Sequence, residues 1–241
     1  VDRLLTLGRV EEAVEAAQRV SDYTLLSLAD IYVARDHAGR AETLVRERAQ
    51  TSRDDRLTGW LRQRALDRGD VQQALALTEG LFWKRPSLAG YQELGRSARS
   101  LGQWAELQVA ILDRLARAEE YGLLTEIHLE EGQISQALVT LGQIQRPAWH
   151  WGGEPLRLRV AQAAEEEYPR EAIRIYVQMA ERLIAVRGRG NYAEAAIYLG
   201  RVRSLYHRLE EPAAWQTLIQ GIRANNPRLR ALKDELNKAS L

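Results

Sequence analysis

Four histidines are the first residues to weigh for chemistry: His37, His128, His150 and His207. No two stand three or four residues apart, the spacing that sets two imidazoles on one helix face for a metal. His128 lies among Glu126, Glu130 and Glu131, which reads either as a carboxylate-rich metal site or as a solvated acidic helix face carrying an incidental histidine. Cysteine is absent, which removes thiolate nucleophiles, disulfides and Cys-ligated zinc or iron–sulfur centres. Gly188-Arg189-Gly190 is too short to cradle a phosphate and reads as a turn between two helices. There is no Gly-x-Ser-x-Gly elbow. The chain is therefore expected to be no enzyme and to need neither cofactor nor metal.

Residue types suited to binding are better represented. Trp149-His150-Trp151 sits in a segment bounded by Pro147 and by Gly152-Gly153-Glu154-Pro155. Trp149 and Trp151 either anchor a partner, as tryptophan often does at binding hot spots, or pack beneath a structural joint and seal it. Glu165-Glu166-Glu167 meets a basic partner or is plain solvated charge. From Arg182 onward eleven Lys or Arg stand against five Asp or Glu. Within that segment Arg187, Arg189, Arg201, Arg203 and Arg208 are the candidates for contact with nucleic-acid phosphate. The alternative is long basic side chains laid over apolar helix stripes. A formal net charge of +1 means the whole molecule is no polycation.

These residues need a scaffold, and the sequence describes one. Hydrophobic residues at 45% and charged residues at 28% fit a folded chain. No apolar run approaches the roughly 18–20 residues that cross a bilayer, and no signal-peptide pattern is present, so a cytoplasmic protein without membrane contact is expected. The start at Val1, without Met, suggests a piece of a longer protein that begins inside a repeat. One phrase recurs: a glycine, an apolar residue two later, and Ala or Leu five later. It reads Gly8-Arg9-Val10…Ala13, Gly69-Asp70-Val71…Ala74, Gly102-Gln103-Trp104…Leu107, Gly132-Gln133-Ile134…Ala137 and Gly190-Asn191-Tyr192…Ala195, with a weaker copy from Gly39 to Leu44. The glycines at 8, 39, 69, 102 and 132 are 31, 30, 33 and 30 residues apart. Glycine closes one helix in the left-handed conformation, the apolar residue starts the next, and the small residue lets the two approach. Between phrases the apolar period is helical, as in Leu57, Trp60, Leu61, Ala65 and Leu66, and strand signals are missing.

The units resemble tetratricopeptide repeats. Tyr91, Leu94, Gly95, Gly102 and Trp104 carry the likeness best, with Leu107 in place of the family's Ala; Leu61, Gly69, Ala74 and Pro86 carry it in the unit before. The resemblance implies an all-α, right-handed α–α superhelix of helix-turn-helix repeats, with the first helix of each pair lining a concave groove. Projected onto this sequence, the groove positions are Arg56, Gln63, Asp67, Gln92, Arg96, Arg99, Glu126 and Glu130, where a protein or peptide partner would lie. The competing reading makes them the solvent side of amphipathic helices.

Helices are expected near 9–20, 22–36, 40–51, 54–68, 71–84, 87–101, 103–118, 120–131, 133–145, 155–166, 169–186, 191–208, 212–224 and 227–239, with the end of another at 1–7. The expected organisation is tetratricopeptide-like repeats over 1–146, a joint at 147–155, and longer helices, a possible cap, over 156–241. The C-terminal stretch of Gly190-Asn191-Tyr192-Ala193-Glu194-Ala195-Ala196, Tyr198-Leu199, Arg201–Tyr206, Trp215 and Leu229–Leu236 resembles the helical region of bacterial SWIM zinc-finger proteins. The family's zinc module needs three cysteines, so it lies outside this chain. The function expected is a non-catalytic scaffold binding a protein partner, with a nucleic-acid-associated module of SWIM type as the alternative.

Overall fold

The computed structural model describes residues 1–144 and 153–241, and every regular element among them is an α-helix. In chain order they are α1 (Asp2–Thr6), α2 (Val10–Gln18), α3 (Asp22–Ala34), α4 (Ala38–Thr51), α5 (Asp55–Asp67), α6 (Val71–Lys84), α7 (Leu88–Ser100), α8 (Trp104–Arg117), α9 (Tyr121–Glu130) and α10 (Ile134–Gln143). Then follow α11 (Gly153–Ala164), α12 (Pro169–Val186), α13 (Arg189–Arg208), α14 (Pro212–Asn225) and α15 (Arg230–Lys238). Each expected helix is present, with ends that agree to about two residues for nearly all of them. Trp149, His150 and Trp151 lie outside the described residues, as does most of the expected joint. No helix among the described residues is long and apolar enough to cross a membrane.

The helix starts are chemically marked. Ser21, Asp54, Asp70 and Ser87 accept backbone N–H groups of Thr24, Arg56, Gln73 and Gly90, so each satisfies a donor that the first turn leaves unpaired. Pro169 and Pro212 open α12 and α14, where a missing N–H costs nothing. The helix stops are more uniform still. Gly8, Gly69, Gly102 and Gly132 all have φ between 69° and 73°. The residue after each donates its N–H five positions back: Arg9 to Leu4, Asp70 to Ala65, Gln103 to Ala98 and Gln133 to His128, at 2.8–3.0 Å. This is the closure that turns one helix into the next.

Two copies of the phrase are placed differently from expectation. Gly39 lies inside α4, and the left-handed residue of that turn is Asp36 (φ 63°), followed by His37 donating to the Tyr32 carbonyl at 2.8 Å. The small residue five later is then Ala41, fully buried, as Ala13 is five after Gly8. Gly190 likewise sits inside α13; the turn before it is made by Arg187 (φ 67°) and Gly188 (φ 104°). Aspartate tolerates the left-handed region better than most residues, which is why the phrase survives without its glycine.

The chain divides into two compact units, Val1–Arg114 and Leu115–Leu241. In the first, α3 pairs with α4 and α5 with α6, while α1 meets α3, α3 meets α5 and α2 meets α4. Its core gathers Leu5, Ala13, Ala17, Leu25, Ala29, Tyr32, Ala41, Val45 and Leu57. In the second, α9 pairs with α10, α11 packs on α12, α12 lies along α13, and α13 carries α14 and α15. There Tyr176, fully buried, stacks on Tyr198 at 6.0 Å between ring centroids. Its hydroxyl donates to Glu165 Oε1 at 2.6 Å; burial, then that hydrogen bond, pushes the phenol well above its ordinary pKa.

Two glycine substitutions separate the roles of turn and helix. Gly69→Ala forces a Cβ into a left-handed position and is expected to cost about 1–2 kcal/mol. Gly80→Ala, in the exposed middle of α6 with open space where the Cβ would go, is expected to gain about 0.5–1 kcal/mol. Urea unfolding followed by far-UV circular dichroism measures both; equal effects of the two would contradict the turn assignment.

Candidate interaction face

In the first unit, polar cross-links run from each helix to its counterpart one repeat later. Arg35 Nε donates to Asp2 at 3.1 Å, Arg40 Nη2 to Glu11 at 2.7 Å, Trp60 Nε1 to Asp30 at 2.8 Å, and Gln103 Nε2 to Gln72 at 3.2 Å, across 29 to 33 residues of sequence. Arg62 pairs with Glu93 between α5 and α7 in the same manner. Such separations equal the period of the phrase, so the bonds fix the register in which like helices lie side by side. Exposed pairs of this kind contribute about 0–1 kcal/mol each, too little to hold the unit together but enough to choose a register. Arg48 works harder: it donates to Val20 O at 2.9 Å, Gln18 O at 2.7 Å and Asp22 at 2.8 Å, covering the open carbonyls at the end of α2. Ser52 and Arg48 together hold the Asp22 carboxyl below the usual carboxylate range.

These links bring one side of α3, α5 and α7 into a common polar and aromatic face. Tyr23, 68% exposed at the start of α3, lies under the Arg56 guanidinium, whose Cζ is 5.8 Å from the ring centroid. Arg56 is in turn oriented by Asp54, at 2.6–3.1 Å, which holds the guanidinium protonated and the carboxyl below its ordinary pKa. One turn on, the indole of Trp60 is tied to Asp30. Gln63 Nε2 donates to Asp67 at 2.9 Å, and Asp67 also holds Arg64 at 2.9 Å. On α7, Arg96 lies 3.9 Å from Glu93, the residue that meets Arg62 of α5. Gln92 is exposed on the same helix. Arg99 lies over the Trp104 ring at 4.9 Å, and Gly95 makes room for that pair: a Cβ there would meet Arg99 at 3.1 Å and Trp104 at 3.4 Å. Gln108 donates to the Tyr91 hydroxyl at 2.8 Å behind it.

Six of the eight expected groove residues thus belong to the first unit, and their side chains are held by neighbours in defined positions. Glu126 and Glu130, on α9, belong to the second unit, where Glu126 is half-buried and Glu130 exposed. Tyr23, Asp30 and Trp60 were not foreseen as part of this face. Trp60 reads as core in the apolar stripe of α5, and its Asp30 partner becomes visible only when the sequence is compared with itself at a spacing of 30. His128 is occupied by Gln133 at 2.8 Å, and no three His, Asp or Glu side chains gather as a metal site among the described residues.

The five arginines expected to meet phosphate have mostly found partners within the second unit. Arg189 pairs with Glu235 at 2.9 Å and Arg201 with Glu165 at 2.7 Å; Arg203 donates to the Ser240 carbonyl at 2.8 Å and Arg208 to the Glu165 carbonyl. Arg187 is exposed at the left-handed turn before α13. Glu235 also receives Lys238 at 2.8 Å; Lys238 first, then Arg189, draws its carboxyl below the ordinary glutamate range although Glu235 is largely buried.

No family model matches the chain. Over 73 residues, 30% of its length, it is 36% identical to the uncharacterized protein YwqB of Bacillus subtilis (strain 168), and the matched stretch spans 14% of that protein.

The Glu235 clamp makes a pH-dependent prediction. Its folded pKa lies below the unfolded value of about 4.3, so the ionised carboxylate stabilises the fold above that pH, and the contribution disappears as pH falls through the folded value. Glu235→Gln is expected to be less stable than the parent at pH 7, with the difference vanishing as acid protonates the folded carboxylate. Thermal unfolding from pH 7 into acid checks it; a constant difference at all pH values would show that the charge on Glu235 is irrelevant.

Proposed function

We propose that the chain is a non-catalytic scaffold which binds a protein partner through the face built from Tyr23, Arg56, Trp60, Gln63 and Arg96. In this reading the hairpins form a tetratricopeptide-like, right-handed superhelical array, and the face is the inner surface of its first helices. The observation that carries the proposal is the Tyr23–Arg56 stack beside Trp60, because Tyr, Arg and Trp are the residues most enriched where binding energy concentrates. Arg56 is held by Asp54 and Trp60 by Asp30, so a partner would meet two anchors whose ordering cost is already met. Polar links at the repeat spacing support the stacked arrangement, since an array in which each unit touches mainly its neighbours needs register bonds of that length. The two units, as well as the SWIM-like character of α13–α15, fit a module of a longer cytoplasmic protein. Phosphate contact by α13 draws less support, because Arg189, Arg201, Arg203 and Arg208 each hold an acceptor within the unit.

Site-specific photocrosslinking in cell lysate tests the proposal. A benzophenone amino acid at Gln63 or Gln92 is expected to capture one discrete protein, and the same probe at exposed Val109 of α8 is expected not to. Arg56→Glu together with Arg96→Glu should abolish the captured band while leaving the circular dichroism spectrum unchanged. Equal capture from Val109, or recovery of nucleic acid alone that is released by salt, would remove the basis for the face.

A further inference from the structure

The exposed large apolar residues of the second unit mostly stand at helix ends or among neutral neighbours. Tyr168 and Val186 mark the two ends of α12, and Val139 lies between Gln136 and Gln143 on α10. Ile197 differs from these. It is 63% exposed near the middle of the 20-residue α13, whose other sides pack against α12, α14 and α15. Glu194 stands three residues before it and Arg201 four after, both exposed. At about 100° per residue the two charges share one flank of the Ile197 face, about 4.5 Å and about 6 Å from it in opposite directions along the helix. Each is held from within: Glu194 accepts the Tyr198 hydroxyl at 2.8 Å, and Arg201 Nη1 donates to Glu165 at 2.7 Å. A carboxylate and a guanidinium keep further bonding capacity after one such contact. The opposite flank is small, with Ala193 four residues before Ile197 and Gly200 three after. A Cβ at Gly200 would meet nothing within 4 Å, so packing inside this chain does not ask for glycine there, although glycine weakens a helix interior.

We propose that this face of α13 docks a second copy of the chain, the two α13 helices lying antiparallel with their two-fold axis at Ile197. The pattern is self-complementary, as an isologous interface requires. Rotation about that axis sets the two Ile197 side chains against each other. It brings Glu194 of each copy level with Arg201 of the other, to within about 1.5 Å along the helices and on the same flank. On the other flank Ala193 of each copy meets Gly200 of the other, where the missing side chain lets the backbones approach. A parallel pair would instead lay the charged flank of each copy against the small flank of the other and form neither ion pair. A partner of unrelated sequence has no need of this symmetry, so the occupant is a second copy. Ion pairs at an exposed rim add little energy and mainly set register, which leaves the affinity to Ile197 and the close approach. One helix pair is a small interface, and the association is accordingly weak and dependent on concentration. The surface belongs to the second unit alone and does not depend on the function proposed for the first.

Sedimentation equilibrium of the full 241-residue chain, from about 1 to about 500 μM, tests this, because a dimer's population follows protomer concentration. The expected mass rises from 27.4 kDa towards twice that value for the parent and stays at 27.4 kDa for Ile197→Glu. Gly200→Gln should also remain monomeric while melting at or above the parent temperature, which separates lost docking from lost folding. Glu194→Arg and Arg201→Glu should each self-associate about tenfold more weakly than the parent, since like charges then face each other. An equimolar mixture of those two variants should recover the dimer, because each substituted charge meets its opposite on the other copy. A parent that stays monomeric throughout overturns the proposal. So does a dimer that survives both Ile197→Glu and Gly200→Gln, and so does a mixture no more dimeric than its two components.

Discussion

A single backbone device governs this structure: a residue in the left-handed conformation, followed by an N–H that reaches back five residues to close the helix. It recurs at Gly8, Asp36, Gly69, Gly102, Glu119, Gly132 and Glu210, with the closing bond at 2.8–3.0 Å each time. Helices of 9–14 residues are marginal alone in water and last only when one face is buried against a neighbour. The turn decides which face that is. Five residues after the left-handed position stands a buried residue in nearly every copy: Ala13, Ala41, Ala74, Leu124, Ala137 and Trp215. The turn therefore sets the packing, the packing sets which polar groups meet across hairpins, and those contacts leave the remaining side chains on an ordered outer face.

Arginine is the side chain that makes the cross-hairpin contacts possible. All but three of the 34 basic residues are arginine, the exceptions being Lys84, Lys233 and Lys238. A guanidinium presents a rigid fork of donors, so one residue can serve several acceptors at once, as Arg48 does with two carbonyls and one carboxylate. A point-charge ammonium on a flexible stem would not fix register in this way. The same abundance explains why a basic count of eleven against five in the C-terminal segment is a poor guide to free positive surface. Much of that charge is already directed at Glu165, Glu235 and the last carbonyls of the chain.

Helix positions were legible in the sequence because periodicity, caps and turn residues all report on the same local backbone. The misplacements have local causes too. Gly39 fits the phrase by identity, yet Asp36 occupies the strained position, and no rule based on glycine alone distinguishes them. Gly190 fails for the opposite reason: Arg187 and Gly188 make the turn two residues earlier, leaving Gly190 as an ordinary helical residue. The polar face was half legible. Arg56, Gln63, Asp67, Gln92, Arg96 and Arg99 follow from projection of the repeat, whereas Tyr23 and Trp60 do not, since an aromatic residue in an apolar stripe is expected inside. Trp60 does pack half-buried against the core, and what turns its indole N–H outward is Asp30, a residue distant in sequence but one repeat away in space.

That last case identifies where information about a repeat chain resides. A window of 15 residues sees the helix and its cap. A comparison at the repeat spacing sees Asp2 with Arg35, Glu11 with Arg40, Asp30 with Trp60, Arg62 with Glu93 and Gln72 with Gln103 as pairs of donor and acceptor.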